Sequence, residues 1–114
     1  PGSGKKIAAL GEMLELGAEA PHMHRELGEA AGRHGVDVLF ARGPHAGEII
    51  AGARGAGVPQ AEAIDDHLQI AEAILKVAQA GDVVLLKGSR GMRMEKVLEA
   101  LQARLAPGGE AGRS

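Results

Sequence analysis

Short apolar runs and longer helical patterns alternate four times along this chain, with glycine at most of the junctions. Lys6 to Leu10 is a compact apolar run that ends in Gly11. After a loop, a helical pattern sets Met23, Leu27, Ala30 and Ala31 on one face and stops at Gly35. Val36 to Ala41 (VDVLFA) is rich in strand formers and closes at Gly43. Pro44 suits the first turn of a helix that carries Ala46, Ile49, Ile50 and Ala53 inward. A third strand falls within Gln60 to Ile64, and Asp65 or Asp66 offers an N-cap to the helix after it. That helix has Leu68, Ala71, Ile74, Leu75 and Ala78 as its apolar face. Gly81 and Asp82 turn the chain into Val83 to Lys87 (VVLLK). The loop Gly88 to Gly91 then enters a last helix with Met94, Val97, Leu98, Leu101 and Leu105 inward.

Strands that alternate with helices of ten to fifteen residues imply βαβ crossovers and a parallel sheet. The expected fold class is α/β: a Rossmann-like parallel sheet of about four strands with helices on both faces. The strands lack polar alternation, as they do when both sheet faces are covered. The domain is expected over residues 6–106, with residues 1–5 as a linker and the Gly-rich residues 107–114 as a flexible tail. Eighteen glycines and 21 alanines make up about a third of the 114 residues. Such a core must be built by close approach of backbones more than by large side chains.

Composition narrows the function. A net charge of −2 removes the electrostatic footprint of a general nucleic-acid binder, and one Phe with no Tyr or Trp leaves no platform for stacking bases. The absence of cysteine excludes disulfides, thiolate metal sites and a cysteine nucleophile. No apolar run reaches the length of a membrane span and no signal-peptide pattern opens the sequence, so a cytoplasmic domain is expected.

Parallel sheets bind ligands at the carboxyl ends of their strands, which here selects the loops Gly11 to Pro21, Gly43 to His45 and Gly88 to Arg93. The segment Lys87-Gly88-Ser89-Arg90-Gly91-Met92-Arg93-Met94-Glu95 turns from strand to helix through two glycines. Helix-start N–H groups, the Ser89 hydroxyl and the charges of Lys87, Arg90 and Arg93 suit an anion; a tight turn with solvated basic residues is the plainer alternative. In Gly11-Glu12-Met13-Leu14-Glu15-Leu16-Gly17, Glu12 and Glu15 can hold a metal, orient a basic group, accept a proton, or simply be solvated. His22 and His24 lie two apart, so on a helix they point to nearly opposite sides and do not share an ion; no metal site is expected. The opening Gly2-Ser3-Gly4-Lys5-Lys6 fails as a phosphate loop. It lacks the upstream glycine, carries Lys6 where a magnesium-binding hydroxyl belongs, and precedes a strand instead of following one. Only three serines occur, at 3, 89 and 114, and none sits in a G-x-S-x-G elbow.

Taken in order, Lys6 to Gly17 (KIAALGEMLELG), His24-Arg25-Glu26 with Gly28, and Lys87 to Glu95 resemble one family. It is the C-terminal domain of the Mur ligases of peptidoglycan synthesis, in the branch whose incoming substrate is D-alanyl-D-alanine. The resemblance runs from about Lys5 to Leu105. It implies an ATP-dependent, amide-forming ligase that uses ATP and Mg2+ to phosphorylate the terminal carboxylate of a UDP-linked muramoyl tripeptide. The amine of D-alanyl-D-alanine then attacks this acyl phosphate. A UDP-binding N-terminal domain and an ATP-binding central domain are implied partners, and this chain alone is expected to bind neither cofactor and to be inactive. Glu12 stands where the family usually has Asp, which implies a catalytic carboxylate there. Lys87, Gly88, Ser89, Arg90 and Arg93 are the implied seat of the incoming substrate's carboxylate. The family domain's first strand–helix unit, with its Asp-x-Tyr-Asn-Ala-Asn-Pro motif, has no counterpart in this sequence. A stand-alone, non-catalytic anion-binding module is the alternative to a ligase domain.

Overall fold

The computed structural model describes residues 4–12, 17–88, 92–105, 108–109 and 112–113. Four parallel strands form one sheet: β1 (Lys6–Gly11), β2 (Val38–Arg42), β3 (Gln60–Ala63) and β4 (Val83–Lys87), in the spatial order β3-β2-β1-β4. Between and after them run α1 (Ala20–Arg33), α2 (Ala46–Gly55), α3 (His67–Val77) and α4 (Glu95–Leu105). A three-residue 3-10 turn (Gly17–Glu19) leads into α1. Two-residue strands β5 (Gly108–Gly109) and β6 (Gly112–Arg113) pair antiparallel near the end of the chain.

Side chains alternate across a strand, and the two faces of the sheet carry two separate cores. Ala8, Leu10, Leu39 and Ala41 meet α1 and α2 on one side. On the other, Ile7, Ala9, Val38 and Phe40 meet α3 and α4. This is the expected α/β sandwich of helices around a parallel sheet. The local signals behave as read: Gly35 has φ +77 just past α1, Gly81 has φ +94 before β4, and Asp66 caps α3 by accepting a 2.8 Å hydrogen bond from the Gln69 amide.

The buried faces differ from the sequence expectation in four elements. In α1, Ala20, His24, Gly28 and Ala31 are buried while Met23 is exposed. Small residues face α2 because the two helices touch backbone to backbone, and a stripe drawn through the larger side chains misses that contact. Leu68 of α3 and Leu98 of α4 are likewise exposed, at the margins of their apolar stripes. In β4, expected to be covered on both faces, Val83 (59%) and Leu85 (53%) remain accessible. β4 is the edge of the sheet, and α1 packs on its neighbours instead.

Candidate functional site

Because all four strands run the same way, their carboxyl ends converge on one rim. Gly11 stands in register with Arg42, and Leu10 with Lys87. The three loops expected to carry the chemistry therefore meet there, and glycine lets them approach closely. A Cβ on Gly88 would lie 3.1 Å from the Gly11 Cα and 2.9 Å from the Met94 side chain. One on Gly11 would lie 2.8 Å from the Met92 Cβ, and one on Gly43 would lie 3.0 Å from the Glu12 Cβ and 3.2 Å from the Met92 sulfur.

Glu12 leaves the end of β1 buried, 7% exposed. Its Oε1 accepts a hydrogen bond from the backbone amide of His45 at 3.2 Å. The His45 Nδ1 lies 2.9 Å from Oε2, off the line of a well-formed hydrogen bond. The His45 ring stacks on that of His24, with centroids 4.8 Å apart and planes 11° from parallel. His24 is fully buried, and its Nδ1 is 2.6 Å from the Ala20 carbonyl oxygen. Glu12 is thus part of a Glu–His–His group joining the β1 and β2 loops to α1, not a solvated carboxylate.

One ligating atom from each of these three residues lies within 4.8 Å of the others. Imidazole lone pairs lie in the ring plane, so two nearly parallel stacked rings aim theirs side by side. The arrangement suits a carboxylate–imidazole contact capped by a stacked ring more than convergence on one ion at about 2.1 Å. His22, as the two-residue spacing requires, points elsewhere: it is exposed and pairs with Glu26 at 3.1 Å.

Of the residues expected to hold the substrate, Lys87 is exposed at the end of β4, and Gly88 lies against Gly11. Arg93 is exposed, with φ +54 and a long 4.0 Å ion pair to Glu95. Ser89 and Arg90 lie outside the described residues. Helix α4 starts only at Glu95, so Met92, Arg93 and Met94 intervene between Gly91 and the helix.

Two further residues, not singled out by any sequence motif, tie this rim together. Arg42, at the end of β2, donates from Nε to the Asp65 carbonyl at 2.8 Å and from a terminal nitrogen to the Met92 carbonyl at 2.9 Å. His67, the first residue of α3, donates from Nε2 to the same Met92 carbonyl at 2.8 Å. Arg42 and Asp65 also border an open cleft of about 360 Å³ between the ends of β2 and β3. The available signal was positional: an arginine ending the buried strand β2 and a histidine opening α3.

The opening lysines do not fit a phosphate site. Lys6 donates from Nζ to the His34 carbonyl at 2.9 Å, and the Lys5 ammonium pairs with Asp82 at 2.7 Å. Both contacts lie at the amino ends of the strands, opposite the rim. These residues do not fit an ATP–Mg2+ group.

Residues 1–90 match the model of the Mur ligase, glutamate ligase domain. The chain belongs to that family. Over 101 residues it is 32% identical to the UDP-N-acetylmuramoyl-tripeptide–D-alanyl-D-alanine ligase of Bacillus subtilis (strain 168), covering 88% of this chain and 22% of the relative. Over 99 residues it is 34% identical to the Escherichia coli (strain K12) enzyme of the same name, covering 87% and 21%. Among solved structures, the MurF ligase from Thermotoga maritima in complex with ADP superimposes with a TM-score of 0.75 at 35% identity. That match covers 90% of this chain and 22% of the other. The chain therefore spans about a fifth of the length of the relatives it matches. No helix among the described residues is long and apolar enough to cross a membrane.

Proposed function

We propose that this Mur ligase domain presents D-alanyl-D-alanine to UDP-N-acetylmuramoyl-tripeptide within a longer, ATP-dependent, cytoplasmic ligase of peptidoglycan synthesis. The observation that carries the reading is the rim itself. The two segments that resemble the D-alanyl-D-alanine branch, Gly11 to Gly17 and Lys87 to Glu95, arise from adjacent strands and touch through Gly11, Gly88 and Met92. Matched relatives of that name, about four times as long, support the assignment over a stand-alone anion-binding module.

In this reading Lys87, Gly88, Ser89, Arg90 and Arg93 seat the carboxylate of the incoming dipeptide, leaving its amine toward the acceptor. Arginine supplies a planar fork matched to a carboxylate, and the serine hydroxyl adds a directional donor. Glu12 acts at the neighbouring loop, where its carboxylate fixes the β2 loop through His45. ATP and Mg2+ are held by the part of the enzyme outside this chain. Loss of one charge-assisted hydrogen bond should weaken dipeptide binding about ten- to a hundredfold. The test is Ser89→Ala and Arg90→Ala in the complete ligase. The Michaelis constant for D-alanyl-D-alanine should rise far more than that for ATP, whereas movement of the ATP constant alone would assign the loop to the nucleotide side.

A further inference from the structure

Resting on that reading of the Lys87 to Arg93 segment, we propose that Arg42 and His67 are positioning residues that set the substrate loop by clamping the carbonyl of Met92. A carbonyl oxygen has two lone pairs, and here both have donors: Arg42 at 2.9 Å and His67 Nε2 at 2.8 Å. The two donors come from different strand–helix units, one ending β2 and the other opening α3. Arg42 is also anchored away from the loop by its Nε bond to the Asp65 carbonyl, so its guanidinium is held as a bracket between two backbone segments. The methionine side chain is held as well, against Gly11 and Gly43, and its sulfur lies 3.7 Å from the Arg42 terminal nitrogen.

The residue after the clamp shows why one is needed. Arg93 sits at φ +54, a left-handed conformation that a long side chain with a Cβ disfavours. Its own ion pair with Glu95 is long and exposed, too weak to impose that geometry. The bend between the glycine turn and α4 is thus imposed by β2 and α3. These elements hold the last part of the proposed carboxylate seat at a fixed distance from the Gly11 loop. Arg42 acts through the backbone of Met92, and the substrate need not touch it.

The experiment compares Arg42→Met, Arg42→Lys, His67→Phe and His67→Gln in the complete ligase, reading kcat and the Michaelis constants for D-alanyl-D-alanine and ATP. Arg42→Met and His67→Phe should each raise the dipeptide constant about tenfold and leave the ATP constant within about twofold. Lysine at 42 and glutamine at 67, which keep a donor, should recover part of the loss. The double variant should fall short of the product of the singles, because both donors serve one carbonyl. Equal rises in both constants, or an unchanged dipeptide constant in folded variants, would overturn the clamp. If Arg42→Met fails to fold, His67→Phe decides, since it opens a helix at a half-buried position. If the unsubstituted ligase does not use D-alanyl-D-alanine, the functional reading falls. The clamp is then judged by hydrogen exchange at the amides of residues 92–94 in this chain. Faster exchange in His67→Phe upholds the clamp, and unchanged protection refutes it.

Discussion

Alanine at Gly28 is the sharpest perturbation of this fold. In an isolated helix the change is favourable by about 1 kcal/mol, because glycine has more backbone freedom in the unfolded chain and loses more of it on folding. At this position in α1 the added methyl would enter the van der Waals envelope of the Ile49 carbonyl oxygen. It would also lie 2.7 Å from the Ala53 nitrogen and 2.9 Å from the Ile49 carbonyl carbon. All three atoms are backbone of α2, so no side chain can swing aside and the helices must separate. The contact is reciprocal, since a methyl on Gly52 would strike the Arg25 carbonyl of α1. Overpacking a core costs about 1–3 kcal/mol, and a backbone obstacle belongs at the upper end of that range. Net of the helical gain, Gly28→Ala should destabilise by about 2 kcal/mol and lower the melting temperature by roughly 8–16 °C. Gly47, in the first turn of α2, is the control: a Cβ there meets nothing within 4 Å. Gly47→Ala should be neutral or stabilising, by up to about 1 kcal/mol. Circular dichroism melts of both variants check the pair. A Gly28→Ala protein as stable as its parent would refute close backbone packing of α1 on α2.

Three further outcomes are expected. The Lys5 ammonium and the amides of Gln79 and Lys5 hold the Asp82 carboxyl below its ordinary value of 3.8. A depressed folded-state value stabilises the protein above the unfolded-state value, and this is lost as pH falls through the folded one. Asp82→Asn should therefore be less stable than the parent at pH 7, with the gap narrowing below about pH 4; urea titrations across pH 2–7 that show a constant gap would contradict this. Glu12→Gln in the complete ligase should lower turnover with the fold retained, because it keeps size but removes the charge facing His45; unchanged kinetics would reduce Glu12 to a structural pair. The 114-residue chain, incubated with UDP-linked tripeptide, D-alanyl-D-alanine and ATP, should release no phosphate above background, and robust turnover would defeat the division of labour proposed here.

Much was settled in one dimension. Gly35 and Gly81 read as turns because their positive φ suits a residue without a Cβ, and Asp66 as a cap because its side chain satisfies a helix-start amide. The same local chemistry gave four strands and four helices in order, and parallel strands gave the rim where the Gly11, Gly43 and Gly88 loops meet. Strand order was not local. Only packing placed β4 at the edge with Val83 and Leu85 accessible, although its run of apolar residues matches that of a covered strand. Periodicity found one side of the inner face of α1, where Leu27 and Ala31 join the core, and missed its centre. It ranks side chains by size and apolarity, whereas helix α2 approaches where side chains are smallest, at Gly28, and buries His24 beside it. The contacts of His45 with Glu12 and His24, and those joining Arg42 and His67 to Met92, link residues 21 to 50 positions apart. No spacing rule reaches across such intervals. The sequence determines the elements and the end of the sheet at which chemistry collects; which side chains face one another there is decided by the parallel register and by how closely glycine lets the loops approach.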